Sequence, residues 1–119
     1  MSVRWGFLGA GMIARVGLAP AVHAADGALL QHAAARDHAR AAALGAVTTG
    51  TSYEAVLADP DVDAVYIALS NEAHLPWTLA ALRAGKHVLC EKPLGLSAGE
   101  VEQVMAVAAE TGRTAVEAS

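Results

Sequence analysis

The residues that could do chemistry begin with Phe7-Leu8-Gly9-Ala10-Gly11-Met12-Ile13-Ala14, an apolar run that breaks at two close glycines and resumes with helical periodicity. In a dinucleotide-binding turn the first glycine permits a tight reversal, the second lets backbone N–H groups approach a pyrophosphate, and a third small residue sits where helix meets strand. Gly9, Gly11 and Ala14 fill those places. The anion would lie at the start of the helix, where N–H groups have no intrahelical partner and the macrodipole is positive. Gly9, Ala10, Gly11, Met12 and Ile13 are therefore candidate cofactor-binding residues. Alanine- and glycine-rich sequences also produce this spacing as a plain strand-to-helix turn, so the surrounding elements decide between the two readings.

Ala35-Arg36-Asp37 closes the next β-prone run. An acidic residue at that place usually accepts from a ribose 2′-OH, whereas an arginine suits a 2′-phosphate through its charge and forked donors. Arg36 comes first, which favours NADP over NAD. The plainer alternative is a pair of solvated loop charges, with Asp37 capping the following helix. His23, His32, His38 and His87 show no metal-ligand spacing and no set of carboxylate partners. Cys90, at a strand end, reads as a buried inert thiol, and Tyr53 and Trp77 read as helix packing.

These residues must be held by an alternation of strands and helices. Val3 to Leu8 and Ala64 to Leu69 are apolar on both faces, as central strands of a helix-covered parallel sheet are. Leu29 to Ala35, Val47 to Thr49, Lys86 to Cys90 and Arg113 to Glu117 supply the other strands. Between them, helices are predicted from Met12 to Ala24, with a kink or break at Pro20, and from Asp37 to Leu44. A helix through Ala58 opens with the capping box Thr51-Ser52-Tyr53-Glu54, and Leu75 to Ala84 follows with Pro76 in its first turn. The last runs from the box Ser97-Ala98-Gly99-Glu100 to about Thr111. The expectation is one α/β domain spanning residues 1–119, a doubly wound parallel sheet of about six strands.

Composition narrows the function classes. With 55% hydrophobic residues but only 4% aromatic ones, packing falls to Val, Leu, Ile and Ala. The net charge is −4 with basic residues scattered, which gives no footprint for nucleic acid or an anionic membrane. No apolar run approaches the ~18 residues of a spanning helix. Met1-Ser2-Val3-Arg4 enters a strand without a signal-peptide pattern, and a single cysteine excludes an internal disulfide. A cytoplasmic location is expected.

Three stretches, in order, carry a resemblance. Gly9 to Ala14, Ser70-Asn71-Glu72-Ala73-His74, and above all Ala84-Gly85-Lys86-His87-Val88-Leu89-Cys90-Glu91-Lys92-Pro93 are similar to the N-terminal half of the glucose–fructose oxidoreductase, inositol dehydrogenase and rhizopine-catabolism proteins, the Gfo/Idh/MocA family. The dihydrodiol-dehydrogenase-like branch is the nearest in pattern. The resemblance implies a Rossmann domain that binds NAD(P). It further implies that Lys92 lies beside the nicotinamide and contacts the substrate oxygen, polarising a carbonyl or assisting deprotonation of an alcohol. Glu91 would orient its neighbours, Asn71 would lie near the nicotinamide ribose, and His74 would start a helix facing the cleft. Pro93 would fix the backbone after the lysine. Ser70 stands where many members carry proline.

The implied activity is hydride transfer to or from a sugar, polyol or dihydrodiol-type substrate. Family members continue into a second α/β domain that completes the substrate pocket. These 119 residues match the cofactor half, so the chain is expected to bind a dinucleotide and turn over little alone. Self-association, or a partner chain supplying the other domain, is expected with it. Alternatives are a stand-alone dinucleotide-binding or redox-sensing module, a truncated gene product, and a different enzyme on the same topology, the last opposed by Glu91-Lys92-Pro93.

Overall fold

The computed structural model describes residues 2–118. Strand β1 (Val3–Leu8) leads through the glycine turn into a π-helical segment, Ala14–Leu18, which α1 (Ala19–Ala24) continues. There follow β2 (Ala28–Ala34), α2 (His38–Ala42), β3 (Thr48–Gly50), α3 (Tyr53–Ala58), β4 (Ala64–Ile67), α4 (Asn71–Arg83), β5 (His87–Cys90), α5 (Ala98–Thr111) and β6 (Ala115–Glu117). The six strands form one sheet in the order β3-β2-β1-β4-β5-β6, and every pairing is parallel. This is the doubly wound sheet that the alternation predicts. The strand order reverses between β1 and β4, so a crevice opens beyond their carboxyl ends.

Apolar residues on both faces of the central strands explain how two helical layers attach. Phe7, Leu8, Val65, Tyr66 and Ile67 are fully buried. Successive side chains point to opposite faces of the sheet. Leu8, Val65 and Ile67 join Val56, Leu82 and Val104 in one core. Phe7 and Tyr66, edge to face at 5.1 Å, join Ala14, Val22, Leu30 and Leu44 in the other. Ala14 is the small third residue of the turn motif, and its full burial is what close approach of helix to strand requires.

Three helix boundaries depart from the sequence-based expectation. Pro20 does not break its helix: it falls in the first turn of α1, directly after the π turn. A widened turn relieves the crowding a proline ring causes and leaves its missing N–H without consequence. The cap of α3 is Ser52 and not Thr51, with Ser52 Oγ accepting from Ala55 N–H at 3.1 Å. Helix α4 begins at Asn71, four residues before the expected start, so Pro76 lies inside it. The reason is tertiary, since buried His74 is bonded in place ahead of the proline. Among the described residues, no helix is long and apolar enough to cross a membrane.

Candidate functional site

The two glycines of the turn do different work. Gly9 adopts φ +98°, and a Cβ there would stand 2.3 Å from the Ala68 carbonyl oxygen. Its N–H donates to Ala34 O at 2.8 Å, so the turn is wedged between the ends of β2 and β4. Gly11 is the opposite case: a Cβ on it would meet nothing within 4 Å. The first glycine answers to the fold, and the second borders open space at a helix start.

That space is a cavity of about 350 Å³ lined by Gly9, Gly11, Arg36, Arg40, Tyr53 and Leu69, among others. Asp37 caps α2, its carboxylate accepting from Arg40 N–H at 3.2 Å. The guanidinium groups of Arg36 and Arg40 have no hydrogen-bond or ion-pair partner among the described residues. The capping expected of Asp37 and the rim position expected of Arg36 therefore hold together: the carboxylate is engaged and the cations face the cavity. Arg40 and Tyr53 are additions that spacing did not reveal. Tyr53 packs edge to face on Trp77 at 5.2 Å, as expected of helix packing, and it also forms part of the cavity wall.

Lys92 stands two residues past β5 on the same edge of the sheet, exposed, and its ammonium has no partner among the described residues. Strands β1, β4 and β5 are neighbours, so the ends leading to Gly9 and Glu91 are two strand spacings apart, about 10 Å. The Lys92–Pro93 peptide is cis. Glu91 N–H donates to Ile67 O at 2.9 Å. Its carboxylate accepts from the Tyr66 hydroxyl at 2.6 Å. Burial raises the Tyr66 pKa above the ordinary phenol range, and the Glu91 hydrogen bond and charge raise it further. Leu94 N–H donates to the Glu117 carboxylate at 2.8 Å. Tyr66 and Glu117 are further site residues that the sequence did not disclose, because each acts across the sheet.

Asn71 is exposed at the first position of α4, on the same edge. His74 does not face the cleft as the resemblance implied. It is fully buried, with Nδ1 2.7 Å from Pro93 O and Nε2 2.9 Å from Leu69 O. Carbonyls only accept, so a ring nitrogen that carries the proton donates to the carbonyl it faces. Met12 and Ile13 bring backbone N–H groups to the helix start, while their side chains point to solvent.

The remaining candidates are structural. Cys90 is fully buried, and burial pushes its thiol up to about 11, so no thiolate nucleophile is available at neutral pH. His23 sits 2.8 Å from Leu44 O, His32 pairs with Asp59 at 2.8 Å, and His87 accepts from Thr114 N–H at 3.1 Å. Among the described residues, no group of three His, Cys, Asp or Glu side chains is placed to hold a metal ion.

A glycine turn with an open second glycine at a helix start, beside the reversal of strand order, is the arrangement found in dinucleotide-binding domains. The model of the oxidoreductase family with an NAD-binding Rossmann fold, Gfo/Idh/MocA, matches residues 3–118. The chain belongs to that family. It is 44% identical over 112 residues to a 1,5-anhydro-D-fructose reductase of Ensifer adhaerens, covering 92% of this chain and 34% of that protein. It is also 36% identical over 124 residues to the mouse trans-1,2-dihydrobenzene-1,2-diol dehydrogenase, covering 99% and 37%. A 3-ketoreductase from Actinomadura kijaniata, solved in complex with NADP, superposes with a TM-score of 0.93 at 37% identity, over 98% of this chain and 38% of that one. The chain spans about a third of the length of the curated relatives it matches.

Proposed function

We propose that this chain binds NADP along the carboxyl edge of its sheet and is the cofactor-binding part of an oxidoreductase acting on a sugar, polyol or dihydrodiol-type substrate. The observation that carries the reading is the placement of unpaired cations on both sides of the glycine turn, Arg36 and Arg40 toward β2 and Lys92 beyond β5. The residues fit the cofactor. Gly11 leaves room for a pyrophosphate at the helix start, where Met12 and Ile13 present N–H groups, and Arg36 with Arg40 suits a 2′-phosphate. Asn71 and the Glu91–Lys92 loop would flank the nicotinamide end.

Bound NADPH supplies a hydride. Lys92 would donate a hydrogen bond from its ammonium to the substrate oxygen, polarising a carbonyl as negative charge builds on it. In the reverse direction it would stabilise the oxygen of an alcohol that is losing its proton. Turnover also needs the substrate held in near-attack geometry, and these residues supply the cofactor side of that cleft. The chain alone is therefore expected to bind the cofactor while turning over little or nothing.

Calorimetric titration of the purified chain with NADPH and NADH tests the reading. NADPH is expected to bind at least about tenfold more tightly, the worth of one charge-assisted contact to the 2′-phosphate. Equal affinities would overturn the role given to Arg36 and Arg40. Binding of neither nucleotide would overturn the function.

A further inference from the structure

The loop that carries Lys92 is gripped from three sides, and the grip skips the lysine. Glu91 before it accepts from the Tyr66 hydroxyl of β4 at 2.6 Å. Pro93 after it presents its carbonyl to His74 Nδ1 of α4 at 2.7 Å. Leu94 donates its N–H to the Glu117 carboxylate of β6 at 2.8 Å. The three side chains lie 25, 19 and 23 residues away along the chain, on three different elements. They converge on residues 91, 93 and 94, and leave only Lys92 unbound.

A connection between a strand and a helix does not need this much. Glu91 N–H already closes onto Ile67 O, and Leu94 is already buried in the core. Tyr66 and His74 are themselves fully buried, so their polar atoms would cost stability anywhere that did not match them. A lysine side chain has wide rotamer freedom, so the fold aims its ammonium by fixing the backbone beneath it. Misplacement of a reacting group by about 1 Å can cost on the order of a hundredfold in rate.

From this we infer that Tyr66, His74 and Glu117 are positioning residues, a three-point clasp that sets Lys92 against the nicotinamide end of bound NADP. The inference rests on the proposed function for the site of Lys92. The adenosine end, at Gly9–Gly11 and Arg36, lies outside the clasp.

The test uses two ligands: NADPH, and 2′,5′-ADP, which carries the adenosine and 2′-phosphate but no nicotinamide. The purified chain and its Tyr66→Phe, His74→Gln and Glu117→Ala variants are titrated with both, and backbone ¹⁵N relaxation at Lys92 is measured in each. Loss of one clasp bond is expected to weaken NADPH about fivefold, to leave 2′,5′-ADP within about twofold, and to lower the order parameter of the Lys92 amide. Glu117 is exposed, so Glu117→Ala keeps the test open if a core variant fails to fold. Variants that leave Lys92 ordered, or that weaken both ligands alike, would overturn the clasp. A wild-type chain that binds neither ligand would instead overturn the proposed function.

Discussion

The two edges of the sheet carry the same kinds of cation and treat them in opposite ways. Toward the edge where strands begin, Arg4 bonds Asp63 at 3.1 Å and Asp61 at 3.2 Å. On the same side, the Lys86 ammonium donates to the carbonyls of Asp59 and Val62, both at 2.7 Å. Where strands end, Arg36, Arg40 and Lys92 have no such partner among the described residues. The first set latches the 59–63 connection to its neighbours. The second is left available, and it lies beside the glycine turn and the crevice. On the proposed reading, the paired cations Arg4 and Lys86 hold the fold and Arg36, Arg40 and Lys92 meet the nucleotide.

The sharpest way to break the comparison lies within the turn itself. Gly9→Ala should cost on the order of 3 kcal/mol of stability, because its Cβ would collide with the Ala68 carbonyl in a left-handed backbone. Gly11→Asp should leave stability within about 1 kcal/mol, since the added side chain enters open space and a carboxylate suits a helix start. The same variant should lose NADPH affinity by tenfold or more, roughly, through charge repulsion at the pyrophosphate. Thermal melts paired with titrations check both glycines, and a Gly11 variant that unfolds would erase the distinction.

A smaller effect is expected at the adenosine end. Arg36→Glu should weaken NADPH by about 2 kcal/mol, roughly 30-fold, leave NADH nearly unchanged and not alter the melting temperature. If NADPH and NADH fell together, the loss would lie in the pyrophosphate site and not in the 2′-phosphate contact.

The smallest effect belongs to the opposite edge. The Arg4 hydrogen bond holds the Asp63 carboxyl below its usual range, with backbone bonding and the Arg4 charge adding to it. A depressed carboxyl contributes stability that is present above its unfolded pKa of about 3.9 and is lost as pH falls through the lower folded value. Asp63→Asn should therefore lower the melting temperature slightly near pH 6, and wild type and variant should converge in acid. Nucleotide affinity should be unchanged. A drop in affinity would mean that the two edges are coupled.

Local pattern made much of this legible. The glycine turn, the two-faced apolar strands and the Ser97 cap depend on short spacings, and each is found where the residues place it. What was not legible depends on contacts between distant elements. The early start of α4 follows from His74 reaching Leu69 and Pro93, and nothing between Ser70 and Pro76 encodes that. The same contacts turn an expected cleft-facing histidine into a buried support. Tyr66, in a strand that reads as apolar core, bonds Glu91 only because β4 and β5 pair in register. Arg40 reaches the cavity because Asp37 starts α2 where it does.

The central claim is that one extended nucleotide bridges the Gly9–Gly11 turn and Lys92. Titration of the ¹⁵N-labelled chain with NADPH, followed amide by amide, tests it most directly. The amides of Gly11, Met12, Arg36 and Lys92 should shift together and saturate along a single binding curve, whereas 2′,5′-ADP should move the first three and leave Lys92 in place. A Lys92 amide that is indifferent to NADPH, or that saturates on a separate curve, would contradict the account.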